Sequence, residues 1–247
     1  MKLLVGMPAV LLIALNLSAQ ERLPAGTVLP VQLSATVSSR TSHPGDRISA
    51  RIMQQIRITP GFSVPAGSRV EGKIVNVVPA SQSGESQATL RFDRVVAGKR
   101  VIPILADLRA IASFREVEEA QLPAFGGDRG TSSAAYTTVQ IGGHDVVYRG
   151  GGPVMEGSEE VGVPVPDGVL AEVRSSPGSG CRGPLEFNSP PQSLWLFSSD
   201  ACGSFGFPDL KIARAGRRSG EIVLTAARGL RIPKGSGLLL RVTGAQP

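Results

Sequence analysis

One five-residue phrase occurs three times in this chain and limits what it can become. Leu23-Pro24-Ala25-Gly26-Thr27, Val64-Pro65-Ala66-Gly67-Ser68 and Ile232-Pro233-Lys234-Gly235-Ser236 share an order: apolar residue, Pro, variable residue, Gly, hydroxyl residue. Each copy runs into a strand-like segment. Pro at the second place of a turn pre-sets φ and Gly supplies φ > 0, so the phrase predicts a type II turn. Recurrence with the same flanks reads as a repeated device for launching strands, with Pro24, Gly26, Pro65, Gly67, Pro233 and Gly235 as the structural turn residues.

The segments between the phrases have the period of a half-buried sheet. Ile48, Ala50 and Ile52 alternate with Ser49 and Arg51, and Ala88, Leu90 and Phe92 alternate with Thr89, Arg91 and Asp93. Ser42-His43-Pro44-Gly45-Asp46 reads as a turn, and Ala97-Gly98-Lys99 as a hairpin into Val101 to Leu105. Pro30 and Pro103 are expected on edges or at bulges, because proline cannot donate to a ladder. Ser113-Phe114-Arg115-Glu116 has capping-box spacing, so a short helix is expected through Val117 to Leu122.

From residue 113 to 192 the chain is rich in Gly and Pro and reads as a loop-like insertion, with short strands at Tyr136 to Ile141, Asp145 to Tyr148 and Gly168 to Val173. Strand pattern resumes at Ser193 to Phe197, Leu210 to Ile212, Glu221 to Leu224 and Leu238 to Val242. The expected organisation is a signal peptide over 1–19, an N-terminal β block over 20–112, the insertion over 113–192, and C-terminal strands over 193–247 that complete the same domain. The fold class is all-β: a closed or nearly closed barrel or sandwich with at most one short helix. Pairing the first and last strands removes the exposed edges that invite aggregation.

Lys2, the apolar run Leu3 to Leu17 and the small residues Ser18-Ala19 resemble a secretory signal, which predicts an exported chain that is periplasmic, outer-membrane-associated or secreted. No later apolar run approaches spanning length, so no transmembrane span is expected after cleavage. Cys181 and Cys202 are the only cysteines, and in an exported chain they predict one disulfide. The net charge of +6 is spread along the sequence and aromatic residues are sparse beside it, so nucleic acid is not an expected partner and an anionic envelope suits the charge better.

Catalytic patterns are thin. No Ser stands in a nucleophile elbow, there is no phosphate-binding glycine loop, and His43 and His144 are the only histidines, so neither a metal site nor a cofactor is expected. His144 beside Asp145 on a Gly-rich segment is the residual candidate for general-base chemistry, although neighbours in a strand point to opposite faces. Glu156, Glu159 and Glu160 read as a solvated acidic patch. Trp195 and Phe197 share a face if their segment is a strand; they belong to the core or, if exposed, stack on a sugar.

The N-terminal block resembles the C-terminal β-barrel domain of the channel-core scaffold proteins of type IV secretion and conjugal transfer. The residues that carry the resemblance are Pro24 to Pro30, Ser42 to Asp46, Val64 to Gly72, Leu90 to Gly98 and the closing Ile232 to Ser236. The resemblance implies a barrel that serves as a scaffold for other envelope proteins. The expected function is thus a non-enzymatic scaffold or interaction module of the cell envelope. Its expected partner is another envelope protein, with a glycan or a second copy of the chain also open. A carbohydrate- or peptidoglycan-binding module using Trp195 and Phe197 is the alternative, and a hydrolase using His144 and Asp145 is the second.

Overall fold

A computed structural model describes residues 22–80, 84–121, 135–143, 145–149, 152–165, 168–171, 178–179, 181, 192, 194–213 and 220–244. The N-terminal block contributes β1 (Val28–Leu33), β2 (Val37–Ser38), β3 (Arg47–Ile52), β4 (Ile56–Thr59), β5 (Phe62–Val64), β6 (Arg69–Val78), β7 (Ser86–Ala97), β8 (Arg100–Pro103) and β9 (Leu105–Ala112). One helix, α1 (Phe114–Gln121), follows. The insertion supplies β10 (Ala135–Val139), β11 (Asp145–Arg149), β12 (Val154–Glu156), β13 (Glu159–Val165) and β14 (Gly168–Ala171). The C-terminal part adds β15 (Gly203–Phe205), β16 (Leu210–Ala213), β17 (Ile222–Ala226), β18 (Arg231–Ile232) and β19 (Gly237–Gly244).

The repeated phrases build identical corners. Gly26, Gly67 and Gly235 hold φ of 93°, 80° and 90°, and each turn closes from the Pro carbonyl to the N–H three residues on, at 3.2, 3.3 and 3.2 Å. Pro is therefore the first residue of the turn rather than the second, and the variable residue takes the place expected for Pro. His43-Pro44-Gly45-Asp46 makes a fourth corner, with Gly45 at φ 93° and Asp46 N–H on the His43 carbonyl at 3.2 Å. In every corner the Gly N–H donates to a carbonyl near the end of a neighbouring strand, and the residue after Gly accepts from the same neighbour. The partners are Val242 for Gly26, Ile74 for Gly45, Ile52 for Gly67 and Leu33 for Gly235, all at 2.8–2.9 Å. The corners before β1 and β19 thus seal each other's strands, and so do those before β3 and β6.

These strands form one sheet in the order β15-β9-β19-β1-β3-β6-β7-β17-β16, with β8 paired to β7. Only Ile104 separates β8 from β9, and its N–H reaches the Asp93 carbonyl in β7 at 2.9 Å, so the path bends back on itself into a nearly closed barrel. Towards the other end β7 and β9 splay apart. There β17 pairs with Ser86–Leu90 of β7, β15 runs parallel to Ala110–Ala112 of β9, and a short turn links β15 to β16 to fill the gap. Ile48, Ala50, Ile52, Val70, Ile74, Leu90, Phe92, Val95 and Ile102 are buried at alternate positions and belong to the packed core.

Several expectations are revised. The insertion is more regular than loop-like: β10 to β14 form a five-stranded antiparallel sheet, with β12 and β13 the two strands that composition conceals. Within the expected strand at Ser193 to Phe197, the described residues Leu194 to Phe197 form no strand; Leu194, Leu196 and Phe197 are buried in an irregular segment that bridges Ile141. Pro30 lies inside the sheet, between β19 and β3, not at an edge. Its carbonyl accepts from Met53 beyond the three-residue ladder of β1 with β3, so the missing N–H faces a place where no ladder bond is needed. The helix forms close to the expected boundaries, with Ser113 Oγ accepting from the Glu116 N–H at 3.4 Å.

Candidate functional site

The barrel has two unlike sides, and apolar patterning decides which is which. β3 and the Arg69–Ile74 part of β6 alternate buried with partly or fully exposed residues, whereas β1, β19 and the end of β9 are buried at nearly every position. A strand apolar on both faces must be covered on both. The cover over β1, β19 and β9 is α1 together with residues 194–205, which carry no regular ladder of their own before β15.

Glutamines replace that missing ladder. Gln192 accepts from the Val28 N–H at 2.9 Å and donates to the Val28 carbonyl at 2.8 Å, as a strand neighbour would. Gln54 Oε1 accepts from the Trp195 N–H at 2.9 Å, and Gln140 Nε2 donates to the Leu194 carbonyl at 2.6 Å. Backbone bonds from Ile141 to Leu196 (2.8 Å) and from Ser198 to Ile141 (3.0 Å) complete the attachment.

Arg109 lies at the centre of this cover. It is the extra residue of a bulge, because Ala110 faces Leu239 while Leu108 faces Leu240. Its guanidinium donates to the Asp200 carbonyl at 2.7 Å (Nη2) and the Ala201 carbonyl at 3.3 Å (Nε). Burial, then the charge of Arg241, pull its pKa down to about 10, with Asp200 opposing. Arg109 is therefore still a cation at neutral pH, spending its donors on a turn rather than on a proton-transfer role. Ser198 Oγ donates to Asp200 Oδ1 and braces the same turn.

Next to that turn, Cys181 and Cys202 form a disulfide, Cα to Cα 5.7 Å, as the sequence predicts. Gly178 N–H donates to the Cys202 carbonyl at 2.7 Å, and Ser179 and Ser204 exchange backbone bonds at 3.2 and 2.8 Å. The two chains approach so closely that a Cβ on Gly203 would stand 2.5 Å from the Gly178 carbonyl oxygen.

The other residues singled out from the sequence are placed as follows. His144 lies outside the described residues, and Asp145 is placed only as the first residue of β11, opposite Val139. Phe197 is fully buried against Gly237 and Trp195 is half-buried, so the two rings do not present a shared stacking surface. Glu159 and Glu160 are exposed at the start of β13, in register with Glu156 and Met155. Among the described residues no cluster of His, Cys, Asp or Glu is suited to a metal, and no helix is long and apolar enough to cross a membrane. Arg109 went unread in the sequence; its one signal is a lone base in Leu105 to Ala112, a run whose only other charged residue is Asp107.

No family model matches the chain, and no curated protein is significantly similar to it.

Proposed function

We propose that this protein is an exported, non-catalytic β-barrel scaffold of the bacterial cell envelope that docks another envelope protein through its insertion. The observation that carries this reading is the placing of the β10–β14 sheet. It is inserted between β9 and β15, which lie side by side in the barrel, and its exit is tied down by the Cys181–Cys202 bridge. A separate sheet held on a filled, disulfide-braced barrel is a sensible way to present a recognition surface on rigid support. The disulfide favours an oxidising compartment, in keeping with the signal-like N-terminus. The resemblance to secretion-channel scaffold barrels points to the same role.

The test is affinity capture of the mature chain from cross-linked envelope fractions, beside a variant in which residues 135–171 are replaced by a short Gly/Ser linker. A specific envelope protein retained by the first and lost from the second supports the reading. Equal capture by both, or accumulation of the protein in the cytoplasm, overturns it.

A further inference from the structure

The uncovered side of the barrel gathers bases that look scattered in the sequence. Register sets them side by side: Arg47 faces Lys73, which faces Arg91 across β3, β6 and β7. Four residues along, Arg51 faces Arg69, and between the rows Glu71 faces Arg94. Six bases therefore share this face with two acids, Glu71 and Asp93, in a chain of net charge +6. Arg47, Arg51, Arg69, Lys73 and Arg94 are exposed, and Arg91 is half-exposed. Glu71 is already engaged, 3.2 Å from Arg69 and 2.9 Å from Arg94. Among the described residues, Arg47, Arg51, Lys73 and Arg91 have no ion-pair partner.

Like charges directly opposite each other in a sheet are destabilising, so folding alone gives no reason for the Arg47–Lys73–Arg91 row. We propose that this face is a docking surface for an anionic phospholipid bilayer. The bases form a two-dimensional array across three adjacent strands on the outside of a barrel, and not a single line that would track a strand of nucleic acid. The one aromatic residue of these three strands, Phe92, points into the core and offers no base-stacking platform. Beside the array, Val101 is 58% exposed and pairs with Val96, which pairs with Arg69. An apolar knob at the rim of a basic array matches the boundary between headgroups and acyl chains. This inference goes beyond the scaffold reading and does not depend on the insertion.

The experiment is co-sedimentation of the full mature chain with vesicles of phosphatidylcholine, with and without phosphatidylglycerol, over a series of salt concentrations. Partition that needs phosphatidylglycerol and fades with salt is expected. The triple variant Arg47→Gln, Lys73→Gln, Arg91→Gln is expected to lose about a hundredfold in partition coefficient. A control with the same charge change elsewhere, at exposed Arg40, Arg115 and Arg228, is expected to lose far less, and Glu71→Gln to bind more tightly. The substituted side chains are exposed except Arg91 and Glu71, which are partly exposed, and thermal melts of each variant check that the fold is kept. Indifference to phosphatidylglycerol overturns the proposal. So does an equal loss in the control triple, or tighter binding to a single- or double-stranded oligonucleotide than to the vesicles.

Discussion

The backbone N–H of Gly26 donates to the carbonyl of Val242 at 2.8 Å, and the Val242 N–H returns to the carbonyl of Thr27 at 2.8 Å. This corner joins the beginning of the barrel to its end, and the same two-bond exchange recurs at Gly45, Gly67 and Gly235.

The corners need positive φ, and their surroundings differ. A Cβ at Gly67 meets nothing within 4 Å, so Gly67→Ala carries backbone strain alone, about 1–2 kcal/mol. At Gly235 a Cβ would stand 2.5 Å from Phe114 Cδ2, and the crowding adds about 1–3 kcal/mol. Urea denaturation is expected to rank Gly235→Ala below Gly67→Ala, and adding Phe114→Ala to Gly235→Ala is expected to return part of the difference.

Glu71 gives a pH signature. The hydrogen bond from Arg94, with the charges of Arg94 and Arg69, holds its carboxyl below 4.5 against the upward push of burial. Its folded pKa lies below the unfolded one, so the unfolded chain binds more protons in acid. The contribution is fully present above about pH 4.5 and disappears as pH falls through the lowered folded value. Wild type is expected to melt slightly above Glu71→Gln at pH 7, and the two are expected to converge in acid.

Arg109→Met removes the donors that hold the Asp200 and Ala201 carbonyls. Leaving those acceptors buried and unserved costs about 1–3 kcal/mol, although relief of a desolvated charge offsets part of it. The loss is expected in the guanidinium denaturation midpoint, with hydrogen-exchange protection falling first around residues 198–204. Arg109→Lys is expected to behave like Arg109→Met, because one ammonium cannot reproduce a planar fork across two carbonyls.

Reducing the Cys181–Cys202 bridge frees a loop with a sequence separation of 21, worth about 3 kcal/mol in the chain-entropy description. The corners of the barrel do not include that loop. Reduction is expected to increase proteolysis between the two cysteines while the far-ultraviolet signal of the sheet persists. Simultaneous collapse of both would contradict the division into barrel and cover.

Local pattern determined a good deal by itself. Pro and Gly at fixed offsets specify turns because they act on their own φ and ψ, and period-2 alternation specifies strands such as Arg47–Ile52 and the Leu90–Phe92 part of β7 because one face is dry. The cysteine pair was legible for a similar reason: two cysteines allow one bridge. Tertiary structure decided what depends on partners far along the chain. His43 to Asp46 became a fourth corner only because Ile74 stands beside Gly45, and Leu194 to Phe197 became a cover rather than a strand because Gln54 and Gln140 supply its bonds. Arg109 was buried by a bulge that no local rule signals. The bases on β3, β6 and β7 became neighbours through register, which pairs residues by the geometry of the closed sheet and not by their distance in sequence.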